Sequence, residues 1–354
     1  VRRPLTADHV AAIRRIAEER EVAEGAIFLR TGDAADTFFY VQDGGLQLWD
    51  EDRGTAVNPN VLGAGQFIGE IAFLTGGRML YTMRAVSPVR LLAAPRAAML
   101  RLMAAEPEMS DIIVSVFASR RRAMLERATN AIVGPAEDRQ VRAALAFCTR
   151  NKLPVTLVDP ASEAAADWGQ ACSFAPRTGP KVIFGAREIL RECSPLAIAE
   201  RIGIAFTPVD MTFDVVIVGG GPAGVSAAVY AGAEGLCALV VEDLAIGGQA
   251  GTSSRIENYM GFPTGISGAD LCFRGEVQAM KFGTRFAIPH RVTGLDPDGR
   301  DWCLTQDNGA RVLARAVIVA TGVEYRRLPL DRLEEFEGAG IYYAATEIEA
   351  RWCR

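Results

Sequence analysis

The chain has no Cys-x-x-Cys pair, although it carries 7 cysteines in 354 residues. That spacing is what a redox dithiol or a zinc ribbon uses, so neither is written here by that motif. The cysteines (148, 172, 193, 237, 272, 303 and 353) are odd in number and scattered, a pattern expected of reduced thiols in the cytoplasm. Histidine is scarcer still. His9 and His290 are the only two, which excludes a histidine-rich metal site, and no metal is expected. Positive charge is not in excess: 38 Lys+Arg against 43 Asp+Glu leave a net charge of −5, which argues against a nucleic-acid partner. The tightest basic run, Arg120-Arg121-Arg122, reads as a solvated helix end where cations suit the macrodipole. No signal peptide is visible. Val215 to Ala233 is uncharged and long enough to suggest a membrane span, but Gly219-Gly220-Gly221-Pro222 breaks a helix at its centre, and no membrane association is expected. The sequence opens on Val1 rather than Met and stops within a pattern at Arg354, which reads as a truncated or processed chain.

What is present is an apolar strand Phe213–Val218, the turn Gly219-Gly220-Gly221-Pro222-Ala223-Gly224, a helical run, and a second apolar strand Ala238–Val241 ending on Glu242. The order strand, G-x-G-x-x-G, helix, strand, acid is a dinucleotide fingerprint with a mechanism. Gly219 permits the tight turn, Gly221 lets backbone approach a diphosphate, and Gly224 lets helix and strand pack closely. The helix N-terminus then faces the diphosphate, and Glu242 is placed to bind ribose hydroxyls.

Three segments are expected. Residues 1–128 start with an amphipathic helix over Thr6–Glu19, continue as short strands separated by glycines, and finish with helices near Arg96–Ala104 and Ser110–Ala128. Closely spaced strands with glycine turns predict a β-roll or jelly roll with helices. The order resembles a cyclic-nucleotide-binding domain, most specifically in Phe67-Ile68-Gly69-Glu70-Ile71-Ala72-Phe73-Leu74, which is similar to that family's phosphate-binding cassette. The resemblance implies that the cassette around Gly69 offers backbone N–H groups to a cyclic phosphate and that Glu70 binds the ribose. The family's phosphate arginine falls on Met79, with Arg78 one position early. A residue one place along a strand points to the other face, so Arg78 stands as the nearest phosphate partner but on the wrong side of the strand.

Residues 129–206 read as an α/β unit: strand Ala131–Val133, helix Arg139–Asn151, strand Val155–Val158, helix Ser162–Ala171, strand Lys181–Phe184 and a closing helix Ser194–Ile202. This order resembles a thioredoxin-like domain, with Pro180 where that family keeps a cis-proline. The family's redox cysteines would follow the first strand, where this sequence has Pro135-Ala136-Glu137-Asp138. A docking or spacer role is expected in place of thiol chemistry.

Residues 207–354 are expected to form the N-terminal part of a Rossmann-like FAD-binding domain. After Glu242 come Gly247-Gly248-Gln249, then Glu257-Asn258, then Ala320-Thr321-Gly322, and with these the segment closely resembles the thioredoxin reductase family. The resemblance implies that Gln249, next to Gly248, and Asn258 contact the flavin half of FAD. It also implies that Ala320, Thr321 and Gly322 approach the dinucleotide and that Val292 meets the adenine. Ala344 and Glu347 stand where the family has its disulfide, and no second glycine fingerprint for NADPH occurs between Val323 and Arg354.

The expected function is an FAD-dependent NAD(P)H oxidoreductase resembling thioredoxin reductase, regulated by an N-terminal cyclic-nucleotide-like domain. It would use NADPH and an unknown electron acceptor, and would be a homodimer at full length. This chain, which has no assigned catalytic residue, is expected to hold flavin weakly and to be inactive. Two alternatives stay open. One is a nucleotide-sensing module with a vestigial flavoprotein part. The other is a cyclic-nucleotide-responsive transcription factor, which would need a helix-turn-helix after residue 128.

Overall fold

The computed structural model describes residues 4–34, 36–51, 54–69, 74–75, 78–79, 81–127, 130–175, 178–184, 188–190, 192–208, 211–323, 326–337 and 340–343. The chain forms two compact units. The first contains Val1–Met124, Ala199–Phe206 and Met280–Arg285; the second contains Leu125–Ile198, Thr207–Ala279 and Phe286–Arg354.

In the first unit, helix α1 (Ala7–Arg14) starts with a capping box: His9 N donates to Thr6 Oγ1, and Thr6 N donates to His9 Nδ1. The helix is shorter than the periodicity over Thr6–Glu19 predicts, because Glu18 and Glu19 belong to strand β1 (Glu18–Val22). Pairing with a distant strand overrides the local helical preference there. The strands that follow are β2 (Ile27–Leu29), β3 (Thr37–Asp43), β4 (Gly45–Asp50), β5 (Thr55–Gly63), β6 (Phe67–Ile68), β7 (Thr82–Ala85) and β8 (Val89–Pro95). They form two antiparallel sheets, ordered β1-β8-β3-β6 and β2-β7-β4-β5. One core joins the sheets: Phe39, Val41, Ile68, Leu91 and Ala93 from the first meet Leu46, Met83 and Ala85 from the second. Strands β3 and β8 of the first sheet are buried on both faces, with Phe38, Leu92 and Ala94 buried as well as Phe39, Leu91 and Ala93. Helices α2 (Arg96–Ala105) and α3 (Pro107–Arg127) follow.

The second unit contains two sheets. The smaller uses β9 (Asn130–Val133), β10 (Val155–Val158), β11 (Lys181–Phe184) and β12 (Glu188–Ile189) in the order β10-β9-β11-β12. The first pair is parallel and the rest antiparallel. Between these strands run α4 (Arg139–Arg150) and α5 (Glu163–Cys172), and α6 (Pro195–Arg201) follows. Ala131, Val133, Val158, Ala165 and Ile183 form the core of this module. The Gly179–Pro180 peptide is trans; among the described residues the cis peptide is Ile288–Pro289.

The larger sheet uses β13 (Met211–Val218), β14 (Ala238–Val241), β15 (Arg285–Ala287), β16 (Val292–Asp298), β17 (Asp301–Gln306) and β18 (Arg311–Val319), in the order β15-β14-β13-β18-β17-β16. Helix α7 (Pro222–Ala233) connects β13 to β14, and α8 (Gly268–Lys281) precedes β15. The apolar run Val215–Ala233 is therefore a strand end, a glycine turn and α7. Among the described residues no helix is long and apolar enough to cross a membrane.

Candidate cofactor site

Strands β13, β14 and β18 are mutually parallel through β13, with Val218 in register with both Val241 and Val319. Gly219, Glu242 and Ala320, each the residue after a strand, therefore emerge side by side. The ends of parallel strands at such an edge are where open α/β sheets bind ligands. Backbone bonds tie the three ends together: Gly219 N to Val241 O at 2.9 Å, and Ala320 N to Val218 O at 2.8 Å.

The turn after β13 has no room for a side chain at Gly219 or Gly224. Gly219 sits at φ +107°, and a Cβ there would lie 2.3 Å from Ala320 O. A Cβ on Gly224 would lie 1.9 Å from Gly219 O, and both obstructing atoms are backbone. Helix α7 begins here with Gly221 as N-cap and Pro222 in its first turn, and no side chain caps it. Its first-turn N–H groups and dipole therefore favour an anion in front of them. The loop after Glu242 closes over the turn: Gly247 N donates to Gly220 O at 2.8 Å, and a Cβ on Gly248 would lie 3.1 Å from Gly221 Cα.

Glu242 is buried, and its Oε2 accepts from Gly220 N at 2.7 Å. Its Oε1 accepts from Leu244 N at 3.2 Å and Ala245 N at 3.4 Å. Burial raises its pKa above the ordinary carboxyl value and the Gly220 amide partly offsets that, while neighbouring Asp243 adds to the rise. The carboxylate thus braces both loops of the crease.

The structure brings Gly219, Gly221, Pro222, Ala223, Gly224, Glu242, Gly248, Ala320 and Thr321 to this edge. Gln249 reaches it through its Nε2, which donates to Val323 O at 3.3 Å, just beyond Gly322. Val292 opens β16 shortly after His290, whose N–H donates to Glu242 O at 2.9 Å. Asn258 is exposed on the loop between the 3-10 turn Gln249–Thr252 and α8. In the first unit, Gly69 has φ +86°, and Arg78 Nη1 donates to Gly32 O at 2.8 Å. Met79 is part of the apolar core. Glu70, Ala344, Glu347 and Cys353 lie outside the described residues.

Sequence reasoning passed over two features. One is His290, buried beside Glu242, with Nε2 3.0 Å from Thr207 Oγ1. Its signal was its rarity. The other is the end of α4, where Arg150 Nη2 donates to Gly248 O and Asn151 Nδ2 donates to Leu244 O at 3.0 Å. Nothing in the local sequence marks it.

Residues 213–352 match the family model for pyridine nucleotide-disulphide oxidoreductases, and residues 19–106 match that for the cyclic nucleotide-binding domain. The chain thus joins a cyclic nucleotide-binding domain to a pyridine nucleotide-disulphide oxidoreductase segment. Thioredoxin reductase of Treponema pallidum (strain Nichols) is 41% identical over 134 residues, 38% of this chain and 43% of that protein. Thioredoxin reductase of Bacillus subtilis (strain 168) is 35% identical over 133 residues, 38% of this chain and 41% of that protein. The solved thioredoxin reductase from Streptococcus pyogenes MGAS5005 aligns with a TM-score of 0.31 and 34% identity, over 34% of this chain and 38% of that one. The chain spans about two fifths of the length of the curated relatives it matches. The oxidoreductase segment carries the glycine crease, Glu242 and the β18 end. Residues 107–212, including the α4 module, lie outside both family matches.

Proposed function

We propose that the oxidoreductase segment binds FAD and serves as the flavin-holding part of an FAD-dependent NAD(P)H oxidoreductase resembling thioredoxin reductase, regulated through the cyclic nucleotide-binding domain. The observation that supports this most is the crease itself. A Cβ at Gly219 or Gly224 would run into backbone oxygens at 2.3 and 1.9 Å. A diphosphate group suits a floor of backbone N–H groups at an uncapped helix start, and a carboxylate at the end of the next strand suits ribose hydroxyls. Bound there, a flavin supplies acceptance of hydride from NADPH and onward electron transfer.

In this reading Gly219, Gly221, Pro222, Ala223 and Gly224 hold the diphosphate and Glu242 the ribose. Gly248, Gln249 and Asn258 flank the flavin half, Ala320, Thr321 and Gly322 line the strand end, and Val292 meets the adenine. The relatives, as thioredoxin reductases, have thioredoxin as their acceptor. With Ala344 and Glu347 at the two cysteine places, electrons leave this protein by another route. The small sheet order β10-β9-β11-β12 supports a thioredoxin-like fold for the middle module, with Asp138 rather than a thiol heading α4. We place the protein in the cytoplasm as a homodimer at full length, with effector contacts at Gly69, Glu70 and Arg78. Met79 is buried in the apolar core, which supports weak recognition of a cyclic phosphate.

Titrating FAD into the purified chain while following flavin fluorescence tests the reading. Saturable quenching is expected. Gly224→Ala should weaken it by about 1–3 kcal/mol, the cost of forcing a methyl into a packed site. Equal affinity in the two proteins would overturn the crease as the site. Calorimetry with cyclic AMP and cyclic GMP tests the regulatory domain, and no heat at millimolar ligand would remove it as a cyclic-nucleotide sensor.

A further inference from the structure

Helix α4 begins where a redox pair would stand and ends against the cofactor loop. At its start Asp138 caps the helix, its Oδ1 accepting from Gln140 N at 2.7 Å and Val141 N at 3.2 Å. At its end the chain turns back through Lys152 at φ +57°, with Leu153 N donating to Cys148 O at 2.8 Å. This turn places Arg150 and Asn151 side by side. Asn151 Nδ2 donates to Phe147 O at 2.9 Å within its own helix and to Leu244 O at 3.0 Å in the loop after Glu242. The Arg150 guanidinium donates to Gly248 O. Leu244 and Gly248 bracket that loop, so one helix end grips both sides of it.

We propose that the middle module is a positioning device for the dinucleotide site, with Arg150 and Asn151 as its positioning residues. The proposal rests on reading residues 219–249 as the FAD site, although the grip belongs to the ligand-free loop as well. Gly247 at φ +121° and Gly248 at φ +49° give this loop more backbone freedom than other residues would. Bonds from outside the loop are then what select the geometry in which Gly248 rests on Gly221. The Arg150 bond is charge-assisted, and among the described residues no carboxylate pairs with its guanidinium. Its positive charge therefore stays beside the floor proposed for a diphosphate. A module without thiol chemistry acquires a role: it holds the loop over the cofactor and couples any movement of its own to the cofactor's retention.

Hydrogen–deuterium exchange on the ligand-free chain tests the grip directly. Arg150→Ala is the decisive variant, because the Arg150 guanidinium bonds to the loop, whereas Asn151 also caps α4. Amides of residues 244–252 should exchange about tenfold faster in Arg150→Ala, with the β9, β10 and β11 amides unchanged. Arg150→Lys, which keeps a charged donor, should restore part of the protection. Unchanged exchange at 244–252 overturns the proposal. FAD titration provides the second readout: Arg150→Ala should bind about tenfold more weakly. A loosened loop with unaltered FAD affinity overturns the positioning role. If the unaltered chain takes no FAD at all, the cofactor reading fails, and the exchange result alone decides the grip.

Discussion

His290 is 2% exposed, with Nε2 3.0 Å from Thr207 Oγ1 and Nδ1 facing Asn308 and Asp307. Burial lowers its pKa from 6.5, and the Asp307 charge only partly opposes that. A histidine whose folded pKa is depressed resists protonation in the native state and accepts it readily when unfolded. Its contribution is therefore fully present above pH 6.5 and is lost as pH falls through the folded value. The thermal midpoint of the second unit should drop as pH falls below 6.5, and His290→Gln, which does not titrate, should flatten that slope. A slope equally steep in the variant would refute the assignment to His290. The thiols give a second residue-scale expectation. Burial pushes Cys148 up to about 12, and Cys193 and Cys272 up to about 11. Thiolate being the reactive form, iodoacetamide on the native chain should label exposed Cys237 ahead of these three. Peptide mapping after brief alkylation checks the order.

Helix α4 takes its N-terminal order from one carboxylate, so Asp138→Ala should cost about 1 kcal/mol of stability, read by denaturant unfolding. The elements also show what a sequence makes legible. The β13–turn–α7–β14 unit was readable because its demands are local: apolar strands, glycines at fixed offsets, and an acid ending the second strand. Residues 130–201 were readable as alternating strand and helix for the same reason. The helix over Thr6–Glu19 was overextended because the partner that draws Glu18–Val22 into a strand is β8, far along the chain. The α4 grip could not be read at all. Arg150 and Asn151 bond to carbonyls 98 and 93 residues away, and a carbonyl has the same identity in every residue. His290 lay between these extremes, since its rarity was visible while Glu242 and Thr207 beside it were not.

With two compact units the chain should not unfold in one cooperative step. Calorimetry should show a total enthalpy above the van't Hoff value, and FAD should raise only the transition of the second unit. A single two-state transition would contradict that division. The second unit also exposes apolar side chains at the last residue of β18 and in the chain that follows it: Val319 at 67%, Val323 at 68% and Leu330 at 54%. Light scattering should fall on Val319→Lys if this surface governs self-association. The crease between Gly219 and Gly224 has a different consequence at this scale. If it holds the proposed FAD, its ligand-facing groups are peptide amides, which mutation leaves in place unless it introduces proline. Recognition there is encoded by missing atoms, so damage comes from adding bulk. Heritable loss of binding should therefore concentrate at a few glycine codons, while the surrounding helix and strands drift in sequence with little effect.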